Sequence, residues 1–166
     1  MSHTTTTTMI RPISPNHVFA TFDCGEPGLN AWLQHRALAN EQTGDSRTFV
    51  YLDAQNRVIA FYALTNGAVI RVGLTSSMRR NAPDPVGLLL LGQVGVDVQH
   101  QQQGVGKALM VDVFKRAKLI GQHTGFRALG TNPIDVPAQQ FYTKFGFRLM
   151  PGISPALMLL RRRNIP

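Results

Sequence analysis

From Val86 the chain reads VGLLLLGQVGVDVQHQQQGVGKALMVDVFKRAKLIGQ, and no other stretch restricts the fold as much. The apolar run at its start is continuous rather than alternating, which predicts a mostly buried central strand ending near Val96. A polar turn follows, carrying the consecutive glutamines Gln101, Gln102 and Gln103 and then Gly104 and Gly106. Beyond it Val105, Ala108, Leu109, Val113 and Ala117 recur at helical spacing. A buried strand, a tight turn and an amphipathic helix in that order call for helices packed on a sheet.

The flanking segments fit the same architecture. GLNAWLQHRALANEQTG sets Leu29, Trp32, Leu33 and Ala37 on one helical stripe, with Pro27 near the start and Gly44 past the end. Thr48–Leu52 and Val58–Leu64 are strand-like and joined by the turn former DAQN, a predicted β-hairpin. TSSMRRNAPDP reads as a loop or a short helix ending before Pro83. FRALGTN predicts a strand, VPAQQFYTKFGF a helix from near Pro137 to Gly146, and FRLM and ALMLLRR two closing strands. Helices interleaved with strands in this order exclude a bundle or a sandwich and predict an α/β fold with a mixed sheet.

At 166 residues one domain is expected. The threonine-rich start predicts a disordered tail over residues 1–13, with a single domain over 14–166. Cys24 is the only cysteine, so neither an intramolecular disulfide nor a cysteine-based metal cluster is available, and no metal is expected. No apolar run approaches the roughly 18 residues of a membrane span, and a cytoplasmic protein without membrane contact is expected. Charge is unevenly placed. Residues 1–112 hold eight basic and eight acidic side chains; residues 113–166 hold nine basic ones and the single acid Asp135. Such a basic region is either a solvated surface or an attraction for a polyanion such as RNA or a phosphate-rich cofactor.

A glycine-rich turn between strand and helix converges backbone N–H groups, and the helix dipole adds positive charge, so phosphate is its natural guest. Two familiar phosphate loops are excluded residue by residue. A Walker A loop needs glycine where Gln101 stands and Ser or Thr where Ala108 stands. A dinucleotide fingerprint starting at Gly104 needs glycine where Leu109 stands.

The remaining pattern, Gln101-x-x-Gly104-x-Gly106 after VGVD, followed later by AQQFYTKFGF, resembles the GNAT superfamily of N-acetyltransferases. The resemblance implies the GNAT acyl-CoA N-acyltransferase fold, a mixed, mostly antiparallel sheet flanked by helices, with acetyl-CoA as acetyl donor. It places the pantetheine arm against Val94, Gly95 and Val96, and the pyrophosphate on the N–H groups of Gln102, Gln103, Gly104, Val105, Gly106 and Lys107, with Gln101 also among the donor-binding residues. It also brings Asn132 and Phe141 to the donor and makes Tyr142 the acid that protonates the departing thiolate. A neutral phenol, with an ordinary pKa of about 10, suits that task. Cys24 is expected to be an inert, partly buried thiol and His100 a solvated turn residue.

Within the superfamily, FDCGEPGLNAWLQHRALANEQTGDSRTFV, AFYALTNGAV, RRNAPDPVGLLLLGQVGVD and FYTKFGF are similar to the TacT-like toxins of type II toxin-antitoxin systems. That similarity runs from Phe22 to Leu160. It implies acetylation of the α-amine of aminoacyl-tRNA, arrest of translation, neutralisation by a ribbon-helix-helix antitoxin, a homodimer, and DNA binding only through the antitoxin complex. The predicted central strand carries no carboxylate before Asp97, so no general base is evident. An amine of low pKa suits such a site: free α-amines titrate near 8 and lysine near 10.4. Arg79, Arg80, Lys144 and Arg148 are candidate tRNA contacts, with Arg161 to Arg163 beside them in the charge count. Two other readings fit the residues: a GNAT enzyme acting on a small amine or a protein N-terminus, and a catalytically silent module that binds CoA or antitoxin.

Overall fold

The computed structural model describes residues 10–166. The disordered tail expected over residues 1–13 includes a strand. Residues 1–9 lie outside the described residues, but Ile10–Pro12 form strand β1 and pair antiparallel with β2, Arg47–Leu52. Ile10 and Ile13 are buried, and that burial, together with the ladder, orders a segment whose neighbours in sequence are polar.

After β1 come α1 (Pro27–His35), α2 (Ala37–Thr43), β2, β3 (Val58–Val69), α3 (Ser76–Arg79) and β4 (Val86–Val96). Then follow α4 (Val105–Ile120), β5 (Ala128–Thr131), α5 (Val136–Thr143), β6 (Arg148–Leu149) and β7 (Met158–Arg161). The strands form one seven-stranded sheet in the order β1-β2-β3-β4-β5-β7-β6. β4 and β5 are parallel, with Leu88 opposite Ala128 and Leu91 opposite Thr131, whereas β5–β7 and β6–β7 are antiparallel. The mixed, mostly antiparallel α/β fold is therefore the one expected.

The chain divides into two compact units, one comprising the residues up to Ala63 with Gln93–Leu109, the other Leu64–Gly92 with Met110–Pro166. In the first, Leu33 and Ala37 pack with Ile13, Phe22, Val50, Leu52 and Phe61, and Trp32 stacks on Phe61 at 6.0 Å. The single helix expected here is two. Arg36 caps both: its N–H donates to Trp32 O while its carbonyl accepts from Asn40 N. The break leaves the stripe intact, because Leu33 and Ala37 still enter one core. Gly44 closes α2 at φ +81°, the left-handed region glycine enters without cost. In the second unit Leu74, Met78, Val86, Leu88, Ala128, Met150 and Leu159 form a separate cluster. Among the described residues no helix is long and apolar enough to cross a membrane.

Candidate active site

In the first unit, β4 ends at Val96, and Gly95 sits where a methyl group would come within 3.0 Å of Phe61 and 3.4 Å of Cys24 and Phe22. Glycine there lets the strand end lie flush on that aromatic cluster. Asp97 then turns the chain: its carboxylate accepts from the N–H groups of Gln99 and, across the sequence, Asp23. Each oxygen accepts one of these bonds, and Asp97 thereby anchors the turn to the loop that carries Asp23. Its neighbour His100 stands 3.7 Å away, about one-third exposed. The loop leading to Cys24 is braced in turn by Asp23, which accepts from Gly25 N and from the Asn30 amide; those hydrogen bonds hold its carboxyl below the usual range.

The side chain of Gln101 braces the turn. Its side-chain amide donates to Val96 O at 2.9 Å and to Cys24 O at 3.2 Å, so the carboxamide fastens the turn to the strand it leaves. Gln103 similarly donates to Gln99 O. Backbone N–H groups are thereby the turn's available donors. Gln102 and Gly104 both adopt left-handed backbone, φ +60° and +81°. At the start of α4, Ala108 N donates to Gly104 O, so the N–H groups of Gly104, Val105, Gly106 and Lys107 precede the first intrahelical acceptor. Left-handed residues leading into a helix N-terminus form a concave set of donors suited to a pyrophosphate. Gln101, Gln102, Gln103, Gly104 and Lys107 are exposed, and no acidic side chain lies between Val98 and Val111. Cys24 is buried, and desolvation raises its thiol pKa, the reverse of what activates a nucleophile.

In the second unit, α5 begins as expected: Asp135 caps it by accepting from Ala138 N, and Pro137 occupies the first turn. This presents Tyr142 to the interior, against Phe141 at 5.3 Å and Phe147 at 5.5 Å. Tyr142 is 6% exposed, and burial pushes its phenol pKa above the ordinary value, a hydrogen bond with Thr131 opposing. Thr131 itself is buried and donates its only hydroxyl proton to Leu91 O at 3.1 Å. Burial is the larger of the two effects, so the phenol is protonated at neutral pH. Sequence reasoning missed Thr131: a threonine in a strand carries no signal of the partner that reaches it from α5.

Asn132, expected beside the donor, uses its amide to bind Ala156 O at 2.8 Å, tying the end of β5 to the segment before β7. The basic candidates are redistributed. Arg80 lines a cavity of about 540 Å³ with Arg127, Arg161 and Arg163, whereas Arg148 lines a neighbouring groove with Arg161, Arg163 and Leu149. Arg79 and Lys144 are exposed and line neither. Among the described residues no cluster of ligating side chains is arranged to hold a metal ion.

Residues 44–149 match the acetyltransferase (GNAT) domain family. A tRNA-acetylating toxin of Mycobacterium tuberculosis is 38% identical over 152 residues, which is 92% of this chain and 91% of that protein. The solved structure of AtaT complexed with acetyl-methionyl-tRNAfMet superposes with a TM-score of 0.86 at 20% identity, covering 94% of this chain and 95% of the other. An AtaT variant bound to the C-terminus of the antitoxin AtaR and acetyl-CoA gives 0.79 at 19% identity, with 94% of each chain covered. Placed with the glycine turn and the buried tyrosine, the match over 44–149 and the 38% identity establish that the chain belongs to the GNAT acetyltransferase family.

Proposed function

We propose that this enzyme transfers the acetyl group of acetyl-CoA to the α-amine of aminoacyl-tRNA, that the modified tRNA halts translation, and that a ribbon-helix-helix antitoxin neutralises it. The observation that carries the reading is a buried, protonated Tyr142 in a chain 38% identical, over nearly its whole length, to a tRNA-acetylating toxin. The protein acts in the cytoplasm as a single acetyltransferase domain and a homodimer, and reaches DNA only with its antitoxin.

The chain's residues divide the chemistry. N–H groups from Gln102 to Lys107 hold the donor's pyrophosphate, and the backbone of Val94–Val96 pairs with its pantetheine arm. An N–H at the end of β4 polarises the thioester carbonyl. The amine attacks that carbonyl, the C–S bond breaks, and Tyr142 donates its phenolic proton to the departing sulfur. The proton lost by the new amide nitrogen passes to solvent. Asn132 serves by holding the end of β5 and Phe141 by packing on the tyrosine. Asp97, at the end of the central strand, accepts from the N–H groups of Asp23 and Gln99 and anchors the turn. In this reading the acceptor arrives neutral, as an α-amine of low pKa can without a base.

A pH profile follows from this. With an acceptor whose aminoacyl link is a hydrolysis-resistant amide, the rate should climb through the amine titration near pH 8 or below. It should then stay level to about pH 10, because a phenol raised above its ordinary value near 10 is still protonated there. A falling limb centred near pH 8 to 9 would exclude Tyr142 as the acid. The function itself is tested by incubating purified enzyme with acetyl-CoA and charged tRNA, then weighing the released aminoacyl group by mass spectrometry. A gain of one acetyl is expected; acetylation of small amines or peptide N-termini alone would replace the proposal by the broader GNAT activity.

A further inference from the structure

Arg80, Arg127 and the pair Arg161 and Arg163 come from three separated parts of the second unit, yet they line one cavity with Ser76, Ser77 and Asn81. Among the described residues no carboxylate lines it, and the ion pairs Arg47–Glu41, Arg57–Asp53 and Arg116–Asp112 lie elsewhere. The arginines are held in place by neutral acceptors instead. Arg127 Nη2 donates to Arg80 O at 2.6 Å, and Arg161 Nη1 to Ser77 O at 3.3 Å. Arg127 Nε is buried and has no hydrogen-bond partner. Desolvation, then the charges of Arg127 and Arg163, lower the pKa of Arg161.

Four like charges gathered without a counterion repel one another, so a fold that gathers them has left an anion to complete the set. Guanidinium groups, with planar forks of donors, suit phosphate oxygens better than isolated carboxylates on a flexible partner. The chain position of the cavity also bears on its guest. Arg127 immediately precedes β5 and Thr131, the partner of Tyr142, ends it. At about 3.3 Å per residue the two are separated by about 13 Å along the strand. A polyanion whose reactive end lies by the phenol can extend its backbone over such a distance.

We propose that Arg80, Arg127, Arg161 and Arg163, with the hydroxyls of Ser76 and Ser77, seat phosphodiester groups of the RNA acceptor a few nucleotides from its aminoacylated end. The proposal rests on the aminoacyl-tRNA reading above. The seat reads phosphate rather than base: it holds no aromatic platform and no fixed amide pair besides Asn81. Arg162, between two members of the cluster, is not part of it. It donates to Gly121 O and lies over the Phe126 ring at 5.0 Å.

The test uses the full chain carrying Arg80→Gln and Arg163→Gln together, since both side chains are exposed and folding should survive. A second variant, Arg127→Lys, keeps the charge but removes the fork. Charged tRNA binding is measured by filter retention from low to moderate KCl, acetyl-CoA binding by calorimetry, and transfer with an aminoacyl ester lacking RNA. Wild type should bind tRNA with a steep salt dependence. The double variant should lose on the order of 10-fold in affinity, with a salt slope shallower by roughly one per phosphate released, and keep donor affinity and ester acetylation. Arg127→Lys should lose affinity with little change in slope. Unchanged tRNA affinity and slope in the double variant overturn the seat while leaving the substrate reading standing. Lost acetyl-CoA affinity assigns the cavity to a phosphate of the donor and overturns it too. Lost antitoxin binding with intact tRNA binding assigns it to the protein partner, again against the proposal. If wild type neither binds nor acetylates charged tRNA, the substrate reading itself fails.

Discussion

A Tyr142→Phe enzyme is expected to transfer acetyl about 10²- to 10⁴-fold more slowly than wild type, the usual range for removing a positioned general acid. Growth arrest on expression should disappear with it. The substitution removes one oxygen from a ring already buried between Phe141 and Phe147 and leaves the ring contacts in place. It also deprives Thr131 of one hydrogen bond, a cost of about 1 kcal/mol. Thermal unfolding should therefore shift by a few degrees while the rate collapses, and donor affinity measured by calorimetry should be nearly unchanged. Full activity in the phenylalanine variant would move the proton to water or another donor. Full arrest with no activity would favour the silent binding module.

The second large effect is expected at Gly104. Its backbone is left-handed, and a side chain built there meets nothing within 4 Å, so the constraint is conformational rather than one of space. Asparagine and aspartate tolerate this region better than other side chains. Gly104→Asp should fold, yet it places a carboxylate at the mouth of the N–H groups that the proposed function assigns to the pyrophosphate. Acetyl-CoA affinity should fall by on the order of 100-fold, since charge-assisted hydrogen bonds worth about 1.5–3 kcal/mol are opposed. Gly104→Asn, with the same shape and no charge, should lose far less. Calorimetry on the pair separates the two causes. Equal losses would mean that conformation, not charge, governs the turn.

Much of this was legible in the chain itself, for identifiable reasons. Continuous apolarity marked β4, helical spacing marked α4, and Pro137 marked the start of α5, because each depends on interactions within a few residues. The glycine turn was likewise apparent from local pattern, whereas Tyr142 was reached only through the resemblance to the GNAT superfamily. What was hidden depends on distant partners. Strand β1 offers only Ile10 as a buried residue and is ordered by β2, far along the sequence. The bond from the Gln101 carboxamide to Cys24 O joins residues far apart in sequence. The bond from the Asn132 amide to Ala156 O does so too. Arginines 80, 127, 161 and 163 were visible as charges, but only folding shows that they line one cavity and that Arg79 and Lys144 do not.

The run Arg161-Arg162-Arg163 gives this last point a practical side. Three identical letters in a row serve opposite surroundings: the outer two border the arginine-lined basin, and the middle one is spread on an aromatic ring and fastened to a backbone carbonyl. Scanning the triplet one residue at a time should thus give a soluble protein with weakened RNA grip at either flank and a looser C-terminus at the centre. A block replacement of all three would merge those two phenotypes and hide both.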